Sequence, residues 1–126
     1  MRDMGTFRTT VEIAASHSPE RIVSLESVAV DTGSAYSWFP AAMLEELGVA
    51  RVKLMRFIAA DGRIFERQTG FAFVGAAGRS SPTVVVFAQS GDRTVLGEHG
   101  IRGMNLRVDL VRWELLPAGP VPAAAA

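Results

Sequence analysis

Apolar and polar residues alternate over much of this 126-residue chain. Phe7, Thr9, Val11 and Ile13 share one parity, and Arg8, Thr10 and Glu12 the other. That two-residue period predicts a half-buried strand, because successive strand side chains point to opposite faces. Ser16 to Glu20 reads as a loop around Pro19. From Arg21 to Val30 the pattern changes phase: Val23 and Leu25 share one parity, Val28 and Val30 the other. A bulge near Glu26-Ser27 restores a single buried face. Val52 to Ile58 and Ile64 to Arg67 read as strands flanking Ala59-Ala-Asp-Gly-Arg. Asp61-Gly62 there predicts a tight hairpin, with positive φ at both central residues. Phe71 to Val74 continues as strand, Gly75-Ala-Ala-Gly is a turn, and Thr83 to Phe87 is a β-branched and aromatic core strand. Ser90-Gly-Asp-Arg is a further turn. Leu106, Val108 and Leu110, then Val111, Trp113 and Leu115, predict last strands with a bend between them.

One stretch has a helical period. Pro40 suits a first helical position, Met43, Leu44 and Leu47 fall on one face, and Glu45 and Glu46 can face water. Gly48 stands where a left-handed C-terminal cap is wanted. After Val95-Leu96-Gly97 a short helical turn is expected around His99 to Gly103, weakened by Gly100 and Gly103. The pattern is thus mainly β, about eight short strands with one or two helices, a small closed or sandwiched fold. Residues 1–116 read as one domain, and Pro117 to Ala126, rich in Pro and Ala, as a flexible tail.

Composition narrows the function. The length suits one domain with a core of its own. The chain has no cysteine, so disulfides and thiolate zinc sites are excluded. His17 and His99 are its only histidines, which argues against a histidine metal centre; neither metal nor cofactor is expected. Formal net charge is zero, so nothing calls for nucleic acid or an anionic membrane. No run approaches the roughly 18 apolar residues of a membrane span, and Met1 to Phe7 lacks the apolar core of a signal peptide. The expectation is a soluble cytoplasmic protein.

The candidate chemistry lies at Asp31-Thr32-Gly33-Ser34, directly after the apolar Val28-Ala-Val. Asp and Gly are ordinary turn residues, so a plain turn is one reading. The other starts from position. A carboxylate at the end of a buried strand is costly unless paired or used, and Gly33 lets backbone N–H groups approach it. Asp61 is accounted for by its turn and Asp109 by a solvated strand position. His17 and His99 read as exposed, and Trp38 and Trp113 as core or interface rather than a binding platform.

Val30-Asp-Thr-Gly-Ser-Ala-Tyr-Ser-Trp-Phe-Pro, followed by Leu44-Glu-Glu-Leu-Gly, resembles the catalytic segment of retropepsin-like aspartic proteases, in particular small bacterial members. Ala59, Ala60, Asp61, Gly62 and Arg63 sit where that family has its substrate-covering flap. Leu96 and Gly97 sit where it has the motif that closes over the catalytic strand, and Leu106-Arg-Val-Asp-Leu matches its final strand. The resemblance spans about residues 5 to 116. It implies a small closed β-barrel of the retropepsin type, one lobe per chain, with one short helix. It also implies an aspartic endopeptidase acting on a peptide or protein substrate. One Asp-Thr-Gly is half a site, so a homodimer is implied, with Asp31 catalytic, Thr32 bonding across the dimer, Gly33 close to the substrate backbone and Ser34 orienting the carboxylate. Two alternatives stand beside it: a catalytically silent binding or dimerisation module on the same fold, and a processing enzyme completed by a partner or a chain-end cleavage. Actin-like ATPases share an Asp-x-Gly-Ser/Thr loop, but need several hundred residues and further glycine motifs.

Overall fold

The computed structural model describes residues 6–125; the first five residues of the expected domain and Ala126 of the expected tail lie outside them. The described chain is mainly β. Its strands are β1 (Thr6–Ala15), β2 (Val23–Asp31), β3 (Ser37–Pro40), β4 (Lys53–Ile58), β5 (Ile64–Ala76), β6 (Arg79–Ala88), β7 (Val95–Leu96), β8 (Leu106–Asp109) and β9 (Glu114–Pro117). Two short helices interrupt them, α1 (Ala41–Glu46) and α2 (Glu98–Gly103).

Seven strands form one sheet in the order β1-β2-β7-β3-β6-β5-β4, and β1 also pairs with β5. The pairings therefore run in a ring, with β4 appended to β5. Thr6 to Ile13 of β1 pair with β2, and on the other side Glu12 to Ala15 pair with Gly75 to Ala72 of β5. Enclosed by the ring are Val11, Ile13, Val30, Phe39, Val74, Val85, Phe87 and Leu96, with Leu44 of α1 and Ile101 of α2. The burial pattern follows the alternation in the sequence: Val11 and Ile13 are buried and Glu12 is exposed.

The bulge in β2 lies where the phase change predicts it. Thr9 pairs with Val28 but Val11 with Leu25, so β2 spends three residues against two, and Ser27 takes φ 58°. α1 buries Leu44 and exposes Glu45 and Glu46; Leu47, its C-cap, is buried too, and Gly48 follows with φ 82°. Pro40, however, is the extended cap residue (φ −52°, ψ 130°) and not the first helical one. Its fixed φ suits either place, and its pairing with Ala88 of β6 keeps it in the strand.

The turns differ in detail from the expectations. At Asp61-Gly62 only Gly62 has positive φ, 88°. Gly62 N–H donates to Ala59 O and Ala59 N–H to Arg63 O, so the loop is a three-residue turn ending in a glycine bulge rather than a two-residue one. The expected Gly75–Gly78 turn tightens to Ala77-Gly78, both left-handed at φ 51° and 78°, because Gly75 and Ala76 stay paired in β5. Leu110, Val111 and Trp113 are not strand residues. They make the turn of a separate two-stranded hairpin, β8–β9, whose register sets Asp109 against Glu114. Asp109 Oδ1 accepts from the N–H groups of Val111 and Arg112 there, and these bonds, Arg112's foremost, hold its carboxyl below the usual range. Pro117 belongs to β9 rather than to the tail, and Ala118 N–H still bonds Asn105 O. Among the described residues no helix is long and apolar enough to cross a membrane.

Candidate active site

β2 carries Val28, Ala29 and Val30 through the core and delivers Asp31 at its end. Its neighbour there is the two-residue β7, parallel to it through Ala29–Val95 and Val30–Leu96. On its other side β7 meets β3, Val95 against Trp38. The loop from Thr32 to Tyr36 therefore bridges the two strands that flank β7, and residues after β7 hold it. Glu98 N–H donates to Ser34 O at 2.8 Å and His99 N–H to Ala35 O at 3.0 Å. Gly97 N–H donates to the buried Ser37 Oγ at 3.0 Å. Gly97 is required by space: a Cβ on it would stand 2.3 Å from Tyr36 O and 2.8 Å from Ser34 O. The segment of Asp31 to Ser34 is thus held by the backbone N–H groups that directly follow Leu96-Gly97. α2 forms despite its two glycines, and Gly100 is buried with Ser37 Oγ where a side chain would begin.

Asp31 is partly exposed at the mouth of this scaffold. Its Oδ1 accepts from Gly33 N–H at 2.9 Å, and its Oδ2 faces Arg93 Nη1 at 3.3 Å. Thr32 is exposed and its hydroxyl makes no hydrogen bond among the described residues. The Ser34 hydroxyl donates to Tyr36 O at 2.8 Å rather than to the carboxylate, so it braces the loop.

In front of Asp31 lies a groove of about 840 Å³. One wall is the loop with Gly33, Ser34 and Tyr36; the other is the inner face of the β4–β5 hairpin, with Met55 and Phe57 on β4 and Phe65 on β5. Trp38 lines the groove too, 5.0 Å from Phe57 and 6.1 Å from Phe65 between ring centroids. Trp38 is thus not a core residue: β3 is covered on that side by the hairpin's rings and not by the interior. Of the expected flap residues, Ala60 reaches the groove. Gly62 shapes the turn. Asp61 Oδ1 accepts from Arg63 N–H, which keeps the Asp61 carboxyl below its usual range, and Arg63 extends over Phe65. Ala59 lies just past the last ladder pair, Ile58–Ile64, and its N–H donates to Arg63 O.

Other residues are found where expected. His17 and His99 are exposed; His17 covers Gly48, and His99 meets the Tyr36 ring edge-on at 4.9 Å. Three residues that build the loop and the groove escape sequence reasoning. Ser37 is fully buried inside an apolar run, and only its polarity there was a signal. Asp92 and Arg93 read as turn residues, yet the Asp92 side chain is mostly buried against Arg67 and Arg93 reaches Asp31. Their partners lie far along the chain, beyond what periodicity reports. No protein-family model matches this chain, and no curated protein sequence matches it.

Proposed function

We propose that the protein is an aspartic endopeptidase of the retropepsin-like type, active as a symmetric homodimer and located in the cytoplasm. The observation that carries this reading is the position of Asp31: at the end of a buried strand, with Gly33 N–H on Oδ1, facing a groove roofed by a two-stranded hairpin. Such a groove suits an extended peptide, which pairs with strand backbone and alternates its side chains into pockets. The closed pairing ring and the clasp of Leu96-Gly97 under the Asp31 loop also support a retropepsin-type barrel. The exposed, unbonded Thr32 hydroxyl suits a bond across a two-fold axis.

One chain supplies one such carboxylate. Two copies meeting at a two-fold axis supply a pair. Close like charges cannot both ionise, so the pair holds one proton. The ionised carboxylate takes a proton from water as the water oxygen bonds to the peptide carbonyl carbon, and the protonated one gives its proton to the carbonyl oxygen. Collapse of the resulting diol breaks the C–N bond. The protonated carboxyl gives its proton to the departing amine while the ionised one takes that of a diol hydroxyl, and the pair is left with one proton again.

Peptide-library digestion tests this. The wild-type protein cleaves, pepstatin blocks cleavage, and Asp31→Asn abolishes it with the fold intact. Undiminished cleavage by the Asn variant removes the reading. Folded dimer that cuts nothing in the library favours the silent module.

A further inference from the structure

The carboxylate assigned to catalysis already has a cation beside it. Arg93 Nη1 stands 3.3 Å from Asp31 Oδ2, longer than the roughly 2.7–2.9 Å of a tight charge-assisted bond. The Arg93 side chain is 62% exposed, that of Asp31 26%. A contact so open is weak and easily exchanged. The backbone under Arg93 is not loose, however. Its neighbour Asp92 is gripped by Arg67 through two bonds and by Gln89 N–H at 2.8 Å. The loop is therefore fixed while the Arg93 side chain is free to turn within the groove.

The charges around the groove bear on where it can turn. The carboxylates lining the groove are Asp31 and Asp92, and its cations are Arg93 and Arg56; Asp92 is matched by Arg67, and Arg56 stands exposed on β4 rather than at the carboxylate. In a two-fold dimer the two Asp31 groups share a proton and carry one negative charge. Two Arg93 guanidiniums, one from each protomer, face that single charge. One positive charge is left without a partner beside the bond to be cut. Burying it under the hairpin with a peptide in place is costly unless the peptide brings an anion.

We infer that Arg93 is a specificity residue that selects substrates with an acidic side chain flanking the scissile bond, and that this side chain draws Arg93 away from Asp31 as it binds. The inference deepens the endopeptidase reading above and rests on it. By symmetry the acidic residue is accepted on either side of the bond. The aromatic wall of Trp38, Phe57 and Phe65 takes apolar side chains farther along the same peptide.

The test uses full-length protein. Cleavage sites from the library are rebuilt as matched peptides that differ only in Glu against Gln next to the cut bond. Wild-type kcat/KM favours Glu about tenfold or more, the value of one hydrogen bond between charged groups. Arg93→Gln brings the Glu-to-Gln ratio to about one, and Arg93→Lys, which keeps the charge, retains a reduced preference. High salt lowers the wild-type ratio. Equal cleavage of the two peptides by the wild type, or an unchanged ratio in Arg93→Gln, overturns the inference while Asp31-dependent cleavage upholds the enzyme. Absence of any Asp31-dependent cleavage overturns both.

Discussion

Arg67 on β5 grips Asp92 with two parallel bonds, Nε to Oδ2 at 2.7 Å and Nη2 to Oδ1 at 3.0 Å. Both side chains are mostly buried, at 18% and 16% exposure, and the guanidinium also lies over the Phe65 ring, 4.8 Å from its centroid. The pair ties the arm of the β4–β5 hairpin to the loop that carries Arg93. Planar bidentate geometry is something lysine cannot reproduce. A double-mutant cycle of Arg67→Gln and Asp92→Asn, read by urea denaturation, is expected to give a coupling of about 1.5–3 kcal/mol.

The same pair makes stability depend on acid. Arg67's hydrogen bond, foremost, holds the Asp92 carboxyl below the ordinary aspartate value. A group lowered on folding contributes fully above its unfolded value, about 3.9, and loses that contribution as pH falls through its lower folded value. Denaturation midpoints of the wild type are expected to fall faster than those of Asp92→Asn below about pH 4. Parallel curves for the two proteins contradict this.

Gly97→Ala brings a Cβ into the carbonyls of Tyr36 and Ser34. Backbone on both sides leaves nothing flexible to yield. A loss of at least about 3 kcal/mol is expected, with the Asp31 loop displaced. Chemical shifts of residues 32–36 and 97–99 report the displacement, and melting reports the loss.

The strands and their faces were legible because burial on one face imposes a period of two, as at Val11–Ile13 and across the bulge at Ser27. The Asp31 loop and Leu96-Gly97 were legible as motifs because their residue types are dictated locally, by a turn and by a close backbone approach. Turn types were not. Whether Asp61 or Ala77 takes positive φ depends on how the flanking ladders register, which is a property of two strands and not of a dipeptide. The last strands were misread for a related reason: Val111 and Trp113 are apolar, but Trp113 lies in the turn, where it packs edge-on to Phe7 at 6.4 Å. Arg93 and Asp92 were invisible for a different one. An ion pair between distant segments leaves no trace in periodicity or composition.

Ala77 sits at φ 51° in its two-residue turn, a conformation that costs an L-residue with a Cβ roughly 1–2 kcal/mol. Ala77→Gly is expected to stabilise the protein by about 1 kcal/mol, less the added entropy of the unfolded chain. Calorimetry of the two proteins decides it; a lower melting temperature for the glycine variant contradicts the expectation.

In the proposed dimer mechanism a monomer holds half a dyad, so activity is expected to depend on protomer concentration. Below the dimer dissociation constant the rate falls with the square of concentration, not linearly. The β8–β9 turn presents Leu110 and Val111, 53% and 90% exposed, and Val111→Asp is expected to move the onset of that fall to higher concentration. Removal of residues 119–126 leaves it in place. Sedimentation on the same samples checks both, and constant specific activity where the protein is monomeric rules the dimer mechanism out.

The seat of Asp31 is built from two stretches that the ribosome makes at different times. Gly97 N–H and Ser37 Oγ are 60 residues apart, and the carbonyls of Ser34 and Ala35 wait for the N–H groups of Glu98 and His99. β1, made earlier than the other described strands, has its second partner in β5. A nascent chain that already displays Asp-Thr-Gly-Ser therefore has no clasp beneath it until α2 has been synthesised. Folding dominated by such distant pairings takes on the order of milliseconds to seconds. The groove is completed late in synthesis, and a chain broken off before Gly97 carries the carboxylate without the loop that holds it in position.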